Sequence, residues 1–353
     1  MPDVSFPKVD PGDPNNSYEI LSGEAKRALS RGSVDGVTAI DLGQGDCNAL
    51  TTVWGHTVLY FDFGGGCHAG AHTHPTHETW GPRKLSPQQL AEKFDFSCKP
   101  TVIVSHWDHD HWYTSELVED VRKLQWLGPR QPVAKNNLEA ITKLDNLRCW
   151  PATLGEYELD LGSGRRLRIE KCKKPNSINQ KKYDRNLDGL ALFLKKMGWT
   201  KPTESIVMPG DAPWQCIPSL LANEGKIPGG AVGLFGYHHG SITHWTDETT
   251  KSMPKPAEKR TVKLLLTYGL TPAQKNSYNL AHPAAKARYH EAGWSPREDT
   301  AGKLPNDPPQ PADVGNPATR GDRRLNLSPT VTMRLASMTR TSYTTLRNLL
   351  WKS

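Results

Sequence analysis

The chain has no apolar run long enough to cross a bilayer, and a mean hydropathy of −0.62 excludes a transmembrane helix. Its first residues, Met1 to Lys8, lack the basic and apolar regions of a secretory signal. The six cysteines (Cys47, Cys67, Cys98, Cys149, Cys172 and Cys216) are scattered without paired spacing, so a reduced, cytoplasmic setting is expected. No internal repeat is visible. The histidines also leave a gap, because all thirteen lie outside the stretch from Trp112 to Tyr237.

What histidine there is, is concentrated. Residues 106 to 111 read His106-Trp107-Asp108-His109-Asp110-His111, directly after the β-branched run Thr101-Val-Ile-Val104. That run follows Pro100 and reads as a buried strand. The strand therefore delivers His106, Asp108, Asp110 and His111 into the loop at its end. Imidazole nitrogens beside charged oxygens that can bridge are what a pair of divalent cations requires. A merely solvated loop would not usually follow a buried strand or carry two tryptophans. Two further strand-like runs end alike: Ser205 to Met208 leads to Gly210-Asp211, and Val232 to Phe235 leads to His238-His239. Three strand ends tipped with acid or imidazole point to one site assembled at one edge of a β-fold.

Taken in order, Asp41-Leu-Gly-Gln44-Gly-Asp46, Phe61-Asp62-Phe-Gly-Gly65, Ser105 to His111, Gly210-Asp211 and His238-His239-Gly-Ser241 resemble the metallo-β-lactamase superfamily. Within it, the chain is similar to the hydrolase domain of ComEC-type DNA-uptake proteins and their stand-alone relatives. The superfamily pattern is His-x-His-x-Asp-His, and here Asp108 takes its second histidine position, as in the ComEC-like group. Leu266-Thr-Tyr-Gly269, then Asn279-Leu-Ala-His282-Pro283 and a helical stretch ending near Gly293, resemble that group's last strand, turn and helix. The resemblance spans residues 34 to 303. It implies an α/β fold, the metallo-β-lactamase αββα sandwich with two packed mixed β-sheets and outer helices.

The resemblance also implies a metal centre of two divalent ions, Zn2+ or Mn2+. Its ligands would be His106, Asp108, Asp110, His111, Asp211 and His239, with Asp211 bridging. The superfamily places a further histidine between the second and third motifs, and this chain has none there; Asn186 to Leu194 stands near that place as a strand-like run. The first half of the centre is then left to His106, Asp108 and Asp211. That oxygen-rich set weakens the bias toward zinc and admits manganese.

Roles follow from the same resemblance. A water shared by the two ions would be activated to hydroxide and attack a phosphorus or carbonyl centre. Asp110 and His238 are the candidate catalytic residues, with His238 donating to a non-bridging or leaving oxygen. Gln44 and Asp46 would orient ligands, and Asp62 reads as a structural turn residue. Trp107 and Trp112 either stack a base or head group or pack against the loop. His282 is a further candidate substrate contact, and His109 is expected to point away from the metals.

The net charge of +7 favours a polyanionic partner, although charge alone is a weak signal. Lys171, Lys173, Lys174, Lys181, Lys182 and Arg185 crowd the segment before Asn186. Lys173, Lys174, Lys181 and Lys182 either border the cleft and touch substrate or belong to a solvated loop. His68, His72, His74 and His77 follow the Asp62 turn and read as an exposed flexible insertion in preference to an accessory metal lid.

The chain divides into an N-terminal extension over 1–33, a hydrolase domain over 34–303, and a Pro/Gly-rich segment with a C-terminal extension over 304–353. Helices are expected over 22–30, 86–96, 114–127 and 137–147, and a hairpin over 158–172 around Gly162-Ser-Gly164. The expected function is a dinuclear metal-dependent hydrolase, a phosphodiesterase or nuclease acting on DNA, with nucleic acid as partner and no membrane association. Two alternatives stay open: a hydrolase of a small phosphodiester or ester, of the choline-phosphate-esterase kind, and a metal-binding module without turnover.

Overall fold

The computed structural model describes residues 21–31, 34–43, 45–68, 71–72, 74–78, 84–133, 135–178, 183–258, 260–267, 281–294, 297–299 and 322–327. The first half of the chain runs α1 (Gly23–Arg31), β1 (Val34–Ala39), β2 (Cys47–Thr52), β3 (Thr57–Phe63), the short pair β4 (Cys67–His68) and β5 (Ala71–His72), and α2 (Pro87–Ala91). It continues with β6 (Thr101–Ile103), α3 (Thr114–Leu117), α4 (Glu119–Arg122), β7 (Gln125–Gly128), α5 (Lys135–Ile141) and β8 (Asn146–Cys149). The second half holds β9 (Glu156–Gly162), β10 (Arg165–Lys171), β11 (Leu190–Met197), β12 (Pro202–Met208), α6 (Pro218–Ala222), β13 (Ala231–Phe235) and α7 (Asp247–Ser252). It closes with β14 (Lys263–Leu266), α8 (Pro283–Glu291), β15 (Arg297–Asp299) and β16 (Arg323–Asn326).

Two seven-stranded sheets result, in the orders β16-β1-β2-β3-β6-β7-β8 and β15-β14-β13-β12-β11-β10-β9. Both are mixed in the same way. In the first, β16 to β3 pair antiparallel and β3 to β8 parallel. In the second, β9 to β12 pair antiparallel and β12 to β15 parallel. The halves thus share a topology although their sequences show no repeat. Backbone pairing needs only alternating apolar residues and turns, which unrelated sequences can supply.

The sheets pack face to face. Leu50, Leu59, Phe61 and Ile103 of the first share one buried core with Leu192, Leu194, Ile206 and Met208 of the second. On the first sheet's outer face, Tyr60, Phe63 and Val102 pack against Leu90, Phe94, Val121 and Ile141 from the helical side. Leu220, Met253, Ala285 and Tyr289 cover the second sheet's other face, in continuity with the inner core. Helices on both outer faces make the expected αββα layering.

Several boundaries differ from those read in the sequence. Over 86–96 the helix is only α2, started by a reciprocal Ser86–Gln89 capping box and Pro87 and ended after one turn. The run 114–127 breaks into α3, α4 and β7, and 137–147 into α5 and β8. In each case the apolar tail (Trp126-Leu127, Leu147) is taken up by a parallel strand, because tertiary pairing outweighs helix propensity. The hairpin over 158–172 forms as β9 and β10.

The terminal extensions also belong partly to the domain. Leu21, just before α1, and Leu29, within it, are fully buried in the core. Strand β16 adds an antiparallel edge to β1, with Leu325 and Leu327 buried between the layers. Residues of 21–31 and 322–327 thus pack against the two sheets.

Candidate metal centre

The site stands where each sheet changes from antiparallel to parallel pairing. Strands β3 and β6 form that junction in one sheet, and β12 and β13 in the other. At such a point the chain leaves neighbouring strand ends in diverging directions and opens a crevice at their carboxyl ends. Asp62 lies at the end of β3, His106 to His111 follow β6, Asp211 follows β12, and His238-His239 follow β13.

Asp62 is where local structure first departs from a simple strand. It has φ 62° and sits in a bulge, with Cys47 opposite Phe63 and Asn48 opposite Phe61. The inserted residue reverses the face of the strand, so Phe61 enters the intersheet core and Phe63 the outer cluster. The Asp62 side chain is thereby turned inward and fully buried. One carboxylate oxygen accepts from the Ser105 backbone N–H (2.6 Å) and the other from His111 Nδ1 (2.9 Å).

The imidazoles share one logic. His111 donates its Nδ1–H to Asp62, and His239 donates its own to the Thr267 carbonyl oxygen (2.9 Å). His106 Nδ1 pairs with the Ser105 hydroxyl (3.0 Å). With Nδ1 engaged, each ring turns Nε2 inward, the nitrogen left to face a cation or a proton. All three Nε2 atoms, together with Asp211 Oδ1, are buried without a hydrogen-bond partner. Four unpaired polar atoms facing one space would be costly if nothing filled it.

Asp211 stands in the middle of them. Its Oδ1 is 3.2 Å from His111 Nε2 and 3.7 Å from His239 Nε2, while its Oδ2 is 3.7 Å from His106 Nε2 and 3.5 Å from His238 Nε2. The two oxygens therefore face two separate donor groups. Asp110 Oδ2 lies 3.3 Å from His239 Nε2, and Asp108 Oδ2 lies 3.3 Å from His106 Nε2. Donor atoms this far apart suit convergence on cations at about 2.0–2.2 Å from nitrogen and oxygen ligands. His106, His111 and Asp211 form one group of mutually close donors, and Asp110, His111 and His239 another. The donor set fits a metal centre, with Asp211 shared among its donor groups.

The electrostatics agree. Burial opposes charge on His111, but the Asp211 and Asp62 carboxylates outweigh it and hold its pKa well above the ordinary range. Burial likewise opposes charge on His239, and Asp211, Asp110 and Asp46 raise it. For Asp211, burial is overcome by His238, His111 and His239, and its carboxyl stays well below the usual range. A centre this rich in anionic oxygen draws cations, protons included.

Backbone strain concentrates here too. His238 and His239 have φ 47° and 55°, a left-handed conformation that side chains other than glycine's adopt at a cost of about 1–3 kcal/mol each. The turn aims the two neighbouring rings at opposite oxygens of Asp211. Gly64 permits a second close approach, since a Cβ there would stand 1.7 Å from the Asp110 carbonyl oxygen. The backbone of Gly65 donates to that same oxygen at 3.1 Å.

The remaining sequence-derived residues fall on both sides. Asp46 is buried, accepts from the Thr267 hydroxyl and lies 3.6 Å from His239 Nδ1, which suits an orienting role. His109 turns away, packing on Trp112 and Tyr113 near Glu116. Trp107 and Trp112 are 0% and 1% exposed, so they pack under the loop and offer no face to a substrate; Trp107 Nε1 donates to the Pro129 carbonyl. His282 caps α8, accepting from the Ala284 N–H, and its own backbone N–H donates to the Gly240 carbonyl. Lys173 and Lys174 are exposed just beyond β10, whereas Gln44, Lys181 and Lys182 lie outside the described residues.

Three residues that the sequence did not flag take part. Asp62 holds His111, against the reading of a plain turn residue. Arg185 donates from Nε to Asp108 Oδ1 at 2.5 Å. His74, read as part of an exposed insertion, is buried at 2% exposure and bonds Thr114 Oγ1 (3.1 Å), whose hydroxyl donates to the Gly64 carbonyl. The side chains of His68 and His72 lie outside the described residues, and His77 is partly buried. Only the strand-to-loop context could have hinted at Asp62; nothing local marks the other two.

No family model and no curated protein matches the chain. Among solved structures, it is similar to the metallo-β-lactamase fold protein YhfI from Bacillus subtilis, at 14% identity and a TM-score of 0.38, over 75% of this chain and 95% of that one. It is also similar to Zn(2+)-bound PqqB from Methylobacterium extorquens, at 10% identity and a TM-score of 0.35, over 74% of this chain and 97% of that one. A third likeness is to MEM-A1, a subclass B3 metallo-β-lactamase from a soil metagenome library, at 13% identity and a TM-score of 0.31, over 59% and 80%.

Proposed function

We infer that the chain is a metal-dependent hydrolase of the metallo-β-lactamase kind whose substrate is a phosphodiester of nucleic acid, DNA in the first place. One observation carries the hydrolase reading: three oriented imidazoles and a central carboxylate present unpaired buried atoms to a common space at the edge of two sheets. When bound, two divalent ions would supply Lewis acidity, bringing a water's pKa toward neutrality and offsetting negative charge on the reacting oxygens.

The chain's own residues supply the rest. His106, Asp108 and Asp211 would hold one ion, and Asp110, His111, His239 and Asp211 the other. His238 keeps a quarter of its surface exposed at the rim and faces Asp211 Oδ2, from where its ring can donate a hydrogen bond to a departing oxygen. Asp62 and the Thr267 carbonyl keep the Nδ1 of His111 and of His239 as a donor, and the Ser105 hydroxyl pairs with His106 Nδ1. Burying the centre strengthens these interactions by excluding water.

The nucleic-acid part rests on charge and placement. The chain carries +7, and exposed Lys173 and Lys174 follow Cys172, whose N–H donates to the Gly189 carbonyl. The next residue, Leu190, donates its N–H to the Ser105 carbonyl beside His106. The lysines thus leave the fold at the same edge as the centre, where they suit phosphates on either side of a scissile bond.

A panel of plasmid, single-stranded DNA, RNA and a chromogenic phosphodiester, each with Mn2+ and with Zn2+, tests the reading. Cleavage of DNA that is lost in His111→Ala is the expected result. Turnover of the small ester alone, with no nucleic acid cut under either metal, would replace it with the small-substrate hydrolase.

A further inference from the structure

The two halves of the centre are not equivalent, and the difference lies in an arginine. Asp108 turns Oδ2 toward His106 Nε2 and gives Oδ1 to the Arg185 guanidinium.

Arg185 is built into place. Its NH1 donates to the Pro132 carbonyl, and its backbone carbonyl accepts from Gln131 Nε2 at 2.8 Å. The same buried Gln131 amide also donates to the Asp188 carbonyl, and its oxygen accepts from the backbone N–H of Trp107, between His106 and Asp108. One glutamine therefore locks the arginine's turn to the loop that carries the first-half ligands. The guanidinium is a fixed feature of that half.

Around the other half the charge runs the opposite way. Asp110 and Asp211 face His239 and His111, Asp62 backs His111, and Asp46 backs His239. A cation there meets four carboxylates and two oriented imidazoles. A cation between His106 and Asp108 meets a carboxylate already neutralised by Arg185, and shares Asp211 with its neighbour. Like-charge repulsion across so short a distance weakens binding steeply.

We propose that Arg185 sets unequal loading of the centre: it orients Asp108 for a single-oxygen contact while its charge makes the His106–Asp108 half a weak, exchangeable cation site beside a tight one at Asp110–His111–His239. The inference rests on the metal-centre part of the reading above and adds the order of loading and the residue that sets it.

Titration of the intact, metal-free chain with Mn2+ alone, followed by calorimetry and by elemental analysis after dialysis, tests this. The wild type should bind in two steps whose affinities differ by about tenfold or more. Arg185→Gln retains a donor for Asp108 without the charge; it should strengthen the weak step about tenfold and leave the tight step unchanged, which also shows that the variant is folded. Arg185→Lys, which keeps the charge, should leave the weak step weak. Two equal steps in the wild type, or a gap untouched by Arg185→Gln, would overturn the proposal. If both steps behave as expected but no phosphodiester is cut, the proposal stands and the phosphodiesterase reading falls. If no Mn2+ binds at all, both fall.

Discussion

Each ligand imidazole has one nitrogen engaged by the fold and the other left over, and most of the site's chemistry follows from that division. Asp62 engages His111 most strongly, being a fully buried carboxylate that also takes the Ser105 N–H. Asp62→Asn keeps the left-handed backbone accessible but removes the charge, and should lower metal affinity about 10- to 100-fold; unchanged affinity in a metal titration would mean that His111 is not a ligand. His109→Ala should leave metal content and most turnover intact where His111→Ala loses turnover and part of the metal, because only His111 faces Asp211. His74 carries a different signal. Burial holds its pKa down to about 4, so between that value and the ordinary 6.5 the unfolded chain binds a proton that the folded chain refuses. Stability from this group is complete above pH 6.5 and is lost as pH falls toward 4, by about 3 kcal/mol in all. Denaturant unfolding at pH 7 and 4.5 should show that loss in the wild type and a smaller one in His74→Gln; equal losses would place His74 outside the buried network. The clustering of His106, Asp108, Asp110, His111, Asp211 and His239 was legible because His, Asp and their spacing advertise the chemistry. Asp62, His74 and Arg185 were not, because each acts through a partner at least 40 residues away in sequence.

Elements position these residues through two devices, a bulge and a close approach. The bulge at Asp62 ends β3's alternation and turns the carboxylate inward; the strand was legible, but the reversal of face needs the Cys47–Phe63 pairing to be seen. Gly64 lets the following turn run against the Asp110 carbonyl. Gly64→Ala cannot be absorbed by side-chain movement, since the obstacle is backbone, and should displace Asp110 and weaken metal binding without abolishing the fold. Helix lengths were over-read at 114–127 and 137–147 for a common reason: amphipathic runs gave up their last apolar residues to β7 and β8. At the far end of the chain, β16 completes the first sheet's edge, and Arg324 pairs with Asp35 across it. Leu325 sits 2% exposed between the layers, so Leu325→Ala should cost about 2–4 kcal/mol in denaturant unfolding. A cost near zero would return residues 322–327 to the status of an appendage.

For the whole molecule, the layered arrangement follows from alternating apolar strands and amphipathic helices, and the order of the strand ends that meet at the site was legible from the positions of His106, Asp211 and His239. The doubled topology was not, because strand pairing carries no residue-by-residue signature. Two stacked sheets bring the β3–β6 and β12–β13 junctions together, and the centre forms where they meet. Asp211 comes from one sheet and the His106–His111 loop from the other, so the centre depends on correct sheet packing as much as on its ligands. Charge acts at this scale also. Replacing Lys173 and Lys174 by Gln should weaken DNA cleavage and reduce its salt dependence by up to two phosphate contacts, while sparing a small chromogenic phosphodiester. The central claim is that Asp211 joins two cation sites through its two oxygens. Elemental analysis of the wild type and of Asp211→Ala, each dialysed against the same Mn2+ solution, measures it directly. The account predicts up to two ions in the wild type and a larger loss in Asp211→Ala than in any single histidine variant; full metal content in Asp211→Ala would contradict it.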